Sequence, residues 1–133
     1  MRKLISSGSP FEPKIGFSRA VRVGPFVAVA GTAPVAPDGG VAAPGDMYGQ
    51  TKRCLEIIAQ AIASAGLGLD SVIRTRVMLT DMSRWEEAAR AHGEVFSGVR
   101  PASTFVEVKG LVRREWLVEI EADCIAESDV ARK

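Results

Sequence analysis

The stretch Trp116-Leu117-Val118-Glu119-Ile120-Glu121-Ala122-Asp123-Cys124-Ile125 changes character at every second residue. A period of two is the mark of a strand with one dry face and one wet face. Val118, Ile120 and Ala122 are expected to face a helical layer, and Leu117, Glu119, Glu121 and Asp123 to face away from it. Val72–Thr80 has the same period, with Thr75, Val77 and Leu79 on one side and Arg74, Arg76, Met78 and Thr80 on the other. Set side by side, the two strands match in charge, arginine against acid. Thr104–Val108 reads as a third strand, with Val106 and Val108 toward the helices and Ser103, Phe105 and Glu107 away from them.

Working outward, Ala20–Val23 and Phe26–Ala30 flank Gly24-Pro25 as strand, turn and strand. The spacing predicts a helix from an Asp46 N-cap to Ala65, stopped by Gly66. Its apolar stripe is Cys54, Leu55, Ile57, Ile58, Ala61, Ile62 and Ala65, recurring at three- and four-residue intervals. Ser83-Arg84-Trp85-Glu86 fits a capping box, so a second helix is expected there, with Trp85, Ala88, Ala89, His92, Val95 and Phe96 as its apolar face. Residues 1–19 read as irregular, with Lys3–Ile5 able to add an edge strand. The order is β-β-α-β-α-β-β in 133 residues, an α+β mixed sheet with two helices on one face, forming a single domain over residues 1–133.

Two helices cover one face of such a sheet and leave the other bare. That second face mixes Met78, Phe105 and Leu117 with charges able to pair. A monomer would solvate it, but the mixture suits a symmetric, half-polar subunit interface better.

Composition excludes several functions. Seventeen basic and 16 acidic residues give a formal charge of +1, and no basic block predicts a nucleic-acid stripe. No apolar run approaches bilayer length, so no membrane partner is expected. Cys54 and Cys124, 70 residues apart in apolar surroundings, read as two buried thiols in a reducing, cytoplasmic setting. His92 is the only histidine, and on the apolar face of a helix it is expected to pack rather than bind metal. No nucleophile elbow or phosphate-binding glycine loop is present. What remains is the acidic pair Glu119 and Glu121 beside Arg74 and Arg76. Two readings stay open: a salt-bridge network in an interface, or a carboxylate desolvated in a cleft that moves protons to and from a bound water.

Several blocks together resemble the RidA/YjgF family. They are Arg100-Pro101-Ala102-Ser103-Thr104-Phe105-Val106-Glu107-Val108, Leu117–Ala122, Ile15–Ser18, Val27–Pro34 and Thr75–Met82, spread in order over roughly residues 4 to 126. The resemblance implies a chorismate-mutase-like fold assembled as a homotrimeric barrel, with clefts for a small-molecule metabolite between subunits. It also implies cofactor-independent hydrolysis of reactive imines and enamines such as 2-aminoacrylate. Glu119 falls on the family's catalytic acid, and Gly31, Ser103 and Phe105 fall in its cleft. The guanidinium that holds the substrate carboxylate is missing, because Ser103 stands in its place. Ser18, Ala30 and Ala89 depart from the family pattern in the same region. Losing a charge-assisted pair costs roughly 1.5–3 kcal/mol of binding, which argues against 2-aminoacrylate as substrate. Arg76 or Arg19 is the candidate to replace the missing charge, with Arg76 pairing to Glu107 or Glu121 as the plainer alternative. The expectation is therefore a remodelled imine hydrolase, or a metabolite-binding trimer that has kept the fold without the chemistry.

Overall fold

The computed structural model describes residues 1–127 as one six-stranded sheet in the order β1-β2-β3-β6-β4-β5. The strands are β1 (Arg2–Ile5), β2 (Ala20–Val23), β3 (Phe26–Thr32), β4 (Val72–Leu79), β5 (Ala102–Glu107) and β6 (Val118–Ile125). The helices are α1 (Phe11–Ile15), α2 (Met47–Ser64) and α3 (Trp85–Phe96). All neighbouring strands are antiparallel except β4 and β5, which run parallel with α3 as their crossover.

The core lies between the sheet and the two long helices. Val118, Ile120, Ala122 and Cys124 of β6 face Cys54, Leu55, Ile58 and Ile62 of α2, and all are essentially inaccessible. Asp46 caps α2 by accepting from the Gly49 N–H at 3.0 Å, as the sequence predicts. The far end of the helix is closed by cations from the first two strands. Lys3 Nζ donates to Ser64 O at 2.9 Å and Arg22 Nη1 to Ala65 O at 2.7 Å, satisfying carbonyls at the negative pole of the helix.

Four expectations need correction. The N-terminal segment carries the edge strand allowed for at Lys3–Ile5, as Arg2–Ile5, but the rest of it is more ordered than predicted, with a short helix that tolerates Pro13 in its first turn. The capping box does not form, because Ser83 donates from both its N–H and its hydroxyl to Asp81 Oδ1, giving a 3₁₀ turn over Met82–Arg84 before α3 begins. Leu117 packs against the core instead of lying on the bare face. The faces of β5 are reversed. Its register pairs Thr75 with Ser103 and Val77 with Phe105, so Ser103 and Phe105 face α3 while Val106 is exposed. A sheet edge is half solvated on both sides, and alternation there carries little information about orientation.

Leu79→Ala is expected to cost about 2–5 kcal/mol of stability, and Asp46→Ala about 1 kcal/mol, in urea unfolding at fixed protein concentration. A Leu79→Ala loss below the Asp46→Ala loss would contradict the placement of the core.

Candidate functional site

Across the bare face of the sheet, register sets opposite charges in contact. Arg76 pairs with Glu121 on β6, and its Nη1 lies 3.4 Å from Glu121 Oε1 and 3.2 Å from Asp123 Oδ2. Exposed pairs of this kind contribute about 0–1 kcal/mol each, so their effect is to neutralise the face. Arg76 is therefore engaged by two acids. Glu107 is not among them, since its Oε1 accepts from the Met82 N–H at 2.8 Å.

Two residues before Glu121, Glu119 lies against a bulge in β3. Between Val29 and Thr32 that strand has one residue more than β6 opposite it. Gly31 lies in the bulge, and a Cβ built there would overlap Glu119 Oε2. Glycine leaves the space that the carboxylate occupies, and any side chain here would oblige the end of Glu119 to move. Arg19 completes the group, its Nη2 donating to Gly31 O at 2.5 Å and its guanidinium 5.7 Å from the Phe17 ring centroid. The buried Arg19 Nε has no hydrogen-bond partner among the described residues.

Glu12, only 4% exposed, was not anticipated from sequence, where it stood in a segment read as irregular. It accepts from the Ser7 N–H at 3.1 Å and from the Ser7 hydroxyl. Burial raises its carboxyl, but hydrogen bonds from Ser7 and Ser6, with Arg19 nearby, bring it below the usual range. Glu119 goes the other way. Burial raises it, Arg19 pulls it down, Glu121 adds to the rise, and it ends above the ordinary carboxylate value. Burial pushes the Cys54 thiol far up, with the Glu119 charge adding to the effect, so Cys54 is no nucleophile.

The sequence-predicted residues thus fall into two groups. Arg19, Gly31 and Glu119 come together at the bulge, with Arg76 further along the same face. Ser103 and Phe105 do not join them, being on the helix side of the edge strand, opposite to the expectation. There Thr75 Oγ1 lies 2.7 Å from Ser103 Oγ and 2.9 Å from His92 Nε2. The Phe105 ring meets His92 edge-on at 5.7 Å and Trp85 at 6.4 Å between centroids. His92 also packs on Phe96, and burial lowers its pKa. Thr75 is the residue missed here. A threonine among the buried valine and leucine positions of β4 signals a polar partner, but only the fold identifies it. Among the described residues no group of three His, Cys, Asp or Glu side chains could hold a metal ion, and no helix is long and apolar enough to cross a membrane.

Residues 8–127 match the family model described as Endoribonuclease L-PSP. The chain is 43% identical over 119 residues to the uncharacterized protein SCO2049 of Streptomyces coelicolor, covering 90% of this chain and 88% of that one. It is 36% identical over 106 residues to the RutC family protein PYRAB12510 of Pyrococcus abyssi, covering 80% and 83%. Among solved structures it is similar to Rv2704 of Mycobacterium tuberculosis, a member of the YjgF/YER057c/UK114 family. The TM-score is 0.85 and the identity 44%, over 95% of this chain and 100% of that one.

The His92 imidazole is expected to titrate below its usual 6.5 when followed by NMR. A depressed histidine leaves the unfolded chain binding the proton first, so its contribution to stability is full above about pH 6.5 and is lost as pH falls through the folded value. A titration midpoint at or above 6.5 would contradict the burial described.

Proposed function

The chain belongs to the endoribonuclease L-PSP family, the YjgF/RidA group, and from that premise we propose that it hydrolyses the C–N bond of a small imine, or of an enamine through its imine tautomer, other than 2-aminoacrylate. The observation that carries this reading is the Glu119 carboxyl, fitted into the gap at Gly31 and raised by burial. A carboxyl so raised holds a proton closer to neutrality and is suited to passing it on. Protonated Glu119 gives its proton to the imine nitrogen, water adds to the imine carbon, and the carboxylate takes the proton that the water gives up. Glu119, protonated again, gives its proton to the amine of the carbinolamine and takes the hydroxyl proton as the C–N bond breaks, so that ammonia leaves and a carbonyl remains. The reaction so written needs no cofactor.

The cleft is completed between copies of a homotrimer. Within one chain Glu119 lies on the bare face and Ser103 on the helix face of the sheet, so a cleft that uses both draws them from two copies. The half-polar bare face, with Val21, Ala28 and Ala30 beside the Arg76 cluster, suits that contact. Both cysteines are free and buried, which fits a reducing, cytoplasmic setting. A second reading, a trimer that binds a metabolite without turning it over, is favoured by one observation. Arg76 is already paired with Glu121 and Asp123 and Arg19 holds Gly31 O through Nη2, so a substrate carboxylate has to compete with contacts that each guanidinium already makes. Cleavage of RNA fits poorly, because a formal charge of +1 provides no basic groove and a single histidine provides no acid–base pair.

Ammonia release from imines generated in situ by an amino-acid oxidase tests the reaction. Turnover is expected on at least one of them, with kcat falling about 10²–10⁴-fold in Glu119→Gln. An unchanged rate in that variant would remove Glu119 from the mechanism. No turnover, with a trimer intact by light scattering, would favour the binding reading.

A further inference from the structure

At the corner between β5 and α3, three side chains form a hydrogen-bonded chain that takes no part in the proton transfers of the hydrolysis. Ser103 is exposed on the last strand of the sheet, Thr75 is fully buried behind it, and His92 is 9% exposed behind Thr75. The links are 2.7 Å and 2.9 Å, oxygen to oxygen and oxygen to nitrogen. Phe105, half-buried, and Trp85, 46% exposed, stand next to it as an aromatic wall.

We propose that this corner binds the polar head of an uncharged small molecule, a ketone, imine or carboxamide on a flat apolar body, with Ser103 Oγ as the contacting atom. The proposal deepens the reading above by naming its substrate class, and rests on that reading in taking the corner as part of the Glu119 cleft.

Three features carry it. First, the chain can run in either direction. With His92 Nε2–H donating to Thr75 and Thr75 donating to Ser103, the Ser103 hydroxyl is free to donate outward. With the order reversed, Ser103 donates inward, the imidazole nitrogen accepts, and Ser103 Oγ presents lone pairs to the ligand. A neutral head needs a donor or an acceptor according to its kind, and this relay supplies either.

Second, the relay carries no charge to balance a carboxylate. Its parts are two hydroxyls and an imidazole that burial keeps neutral. A carboxylate brought here gives up hydration without gaining a charge-assisted partner, whereas a carboxamide loses far less. Third, the wall is apolar. Phe105, two residues from Ser103 on the same face of β5, meets Trp85 edge to face with planes at 80°, and the Trp85 ring, 46% exposed, offers surface for a flat group to cover.

His92 is the only histidine, so its ring signals report on the relay without further assignment. The protein is titrated at pH 7.5 with benzamide and, separately, with sodium benzoate, following the His92 ring resonances and Trp85 fluorescence. Benzamide is expected to move the His92 signals and to bind at least about tenfold more tightly than benzoate. Ser103→Ala, a surface change, and Thr75→Val, an isosteric cut in the relay, are each expected to weaken benzamide about five- to tenfold. Ser103→Arg, which places a guanidinium at the corner, is expected to reverse the preference toward benzoate. Benzoate binding as tightly as benzamide overturns the proposal. So does a titration in which neither ligand moves His92, or a Ser103→Ala protein of unchanged affinity. Ammonia release without a benzamide preference sinks this inference alone, and the preference without ammonia release sinks the hydrolysis alone.

Discussion

Strand β6 runs through the middle of the sheet between β3 and β4 and has to be dry on one face only. Its valine, isoleucine and alanine are pressed against α2, and the pleat then leaves Glu119, Glu121 and Asp123 no choice but the other side. Three acids two residues apart repel one another unless something intervenes. Arg76 across the strand boundary offsets the last two, and Arg19, reaching from the turn after α1, offsets the first. The charge pattern of the bare face thus follows from the packing of the opposite face.

The same constraint accounts for the bulge. A central strand allows little room for a carboxylate above its neighbour, and β3 makes that room by taking in an extra residue and dispensing with a side chain at Gly31. Burial there raises Glu119 while a hydrogen-bonded Glu12 goes down, although Arg19 acts on both. Two acids near one guanidinium are driven apart by how many donors each can reach. The pairing of a raised with a lowered carboxyl is an outcome of local hydrogen bonding, not of distance to the cation alone.

Much of this was legible in the sequence, for reasons that differ by element. β6, β4 and α2 are long and buried on one side, so their periods are sharp and their faces match the expected ones, apart from Leu117 just ahead of β6. The matched blocks covering residues 4 to 126 led to the family that the comparisons support. The orientation of β5 was not legible, because an edge strand is wetted on both sides and its partner β4 sets its facing through a parallel register. Nor was α1, five residues long with a proline inside it, since helices that short are made by tertiary contacts and not by propensity. At the site, Glu119 and Gly31 could be named from the matched blocks, but that each shapes the other's space could not. The grouping of Ser103 with His92 runs through Thr75, 28 residues from the first and 17 from the second, which no local pattern encodes.

The fit of Glu119 against Gly31 has a consequence for descent. A mutation adding even a methyl at 31 meets a carboxylate already in place, whereas a lineage that first shortens or loses the side chain at 119 is released to explore alanine or serine at 31. A methyl at 31 alone is accommodated only if the end of the Glu119 side chain swings out of the gap it fills. The two positions, 88 residues apart, therefore share one small volume, and what stands at 31 decides where the carboxylate at 119 can rest.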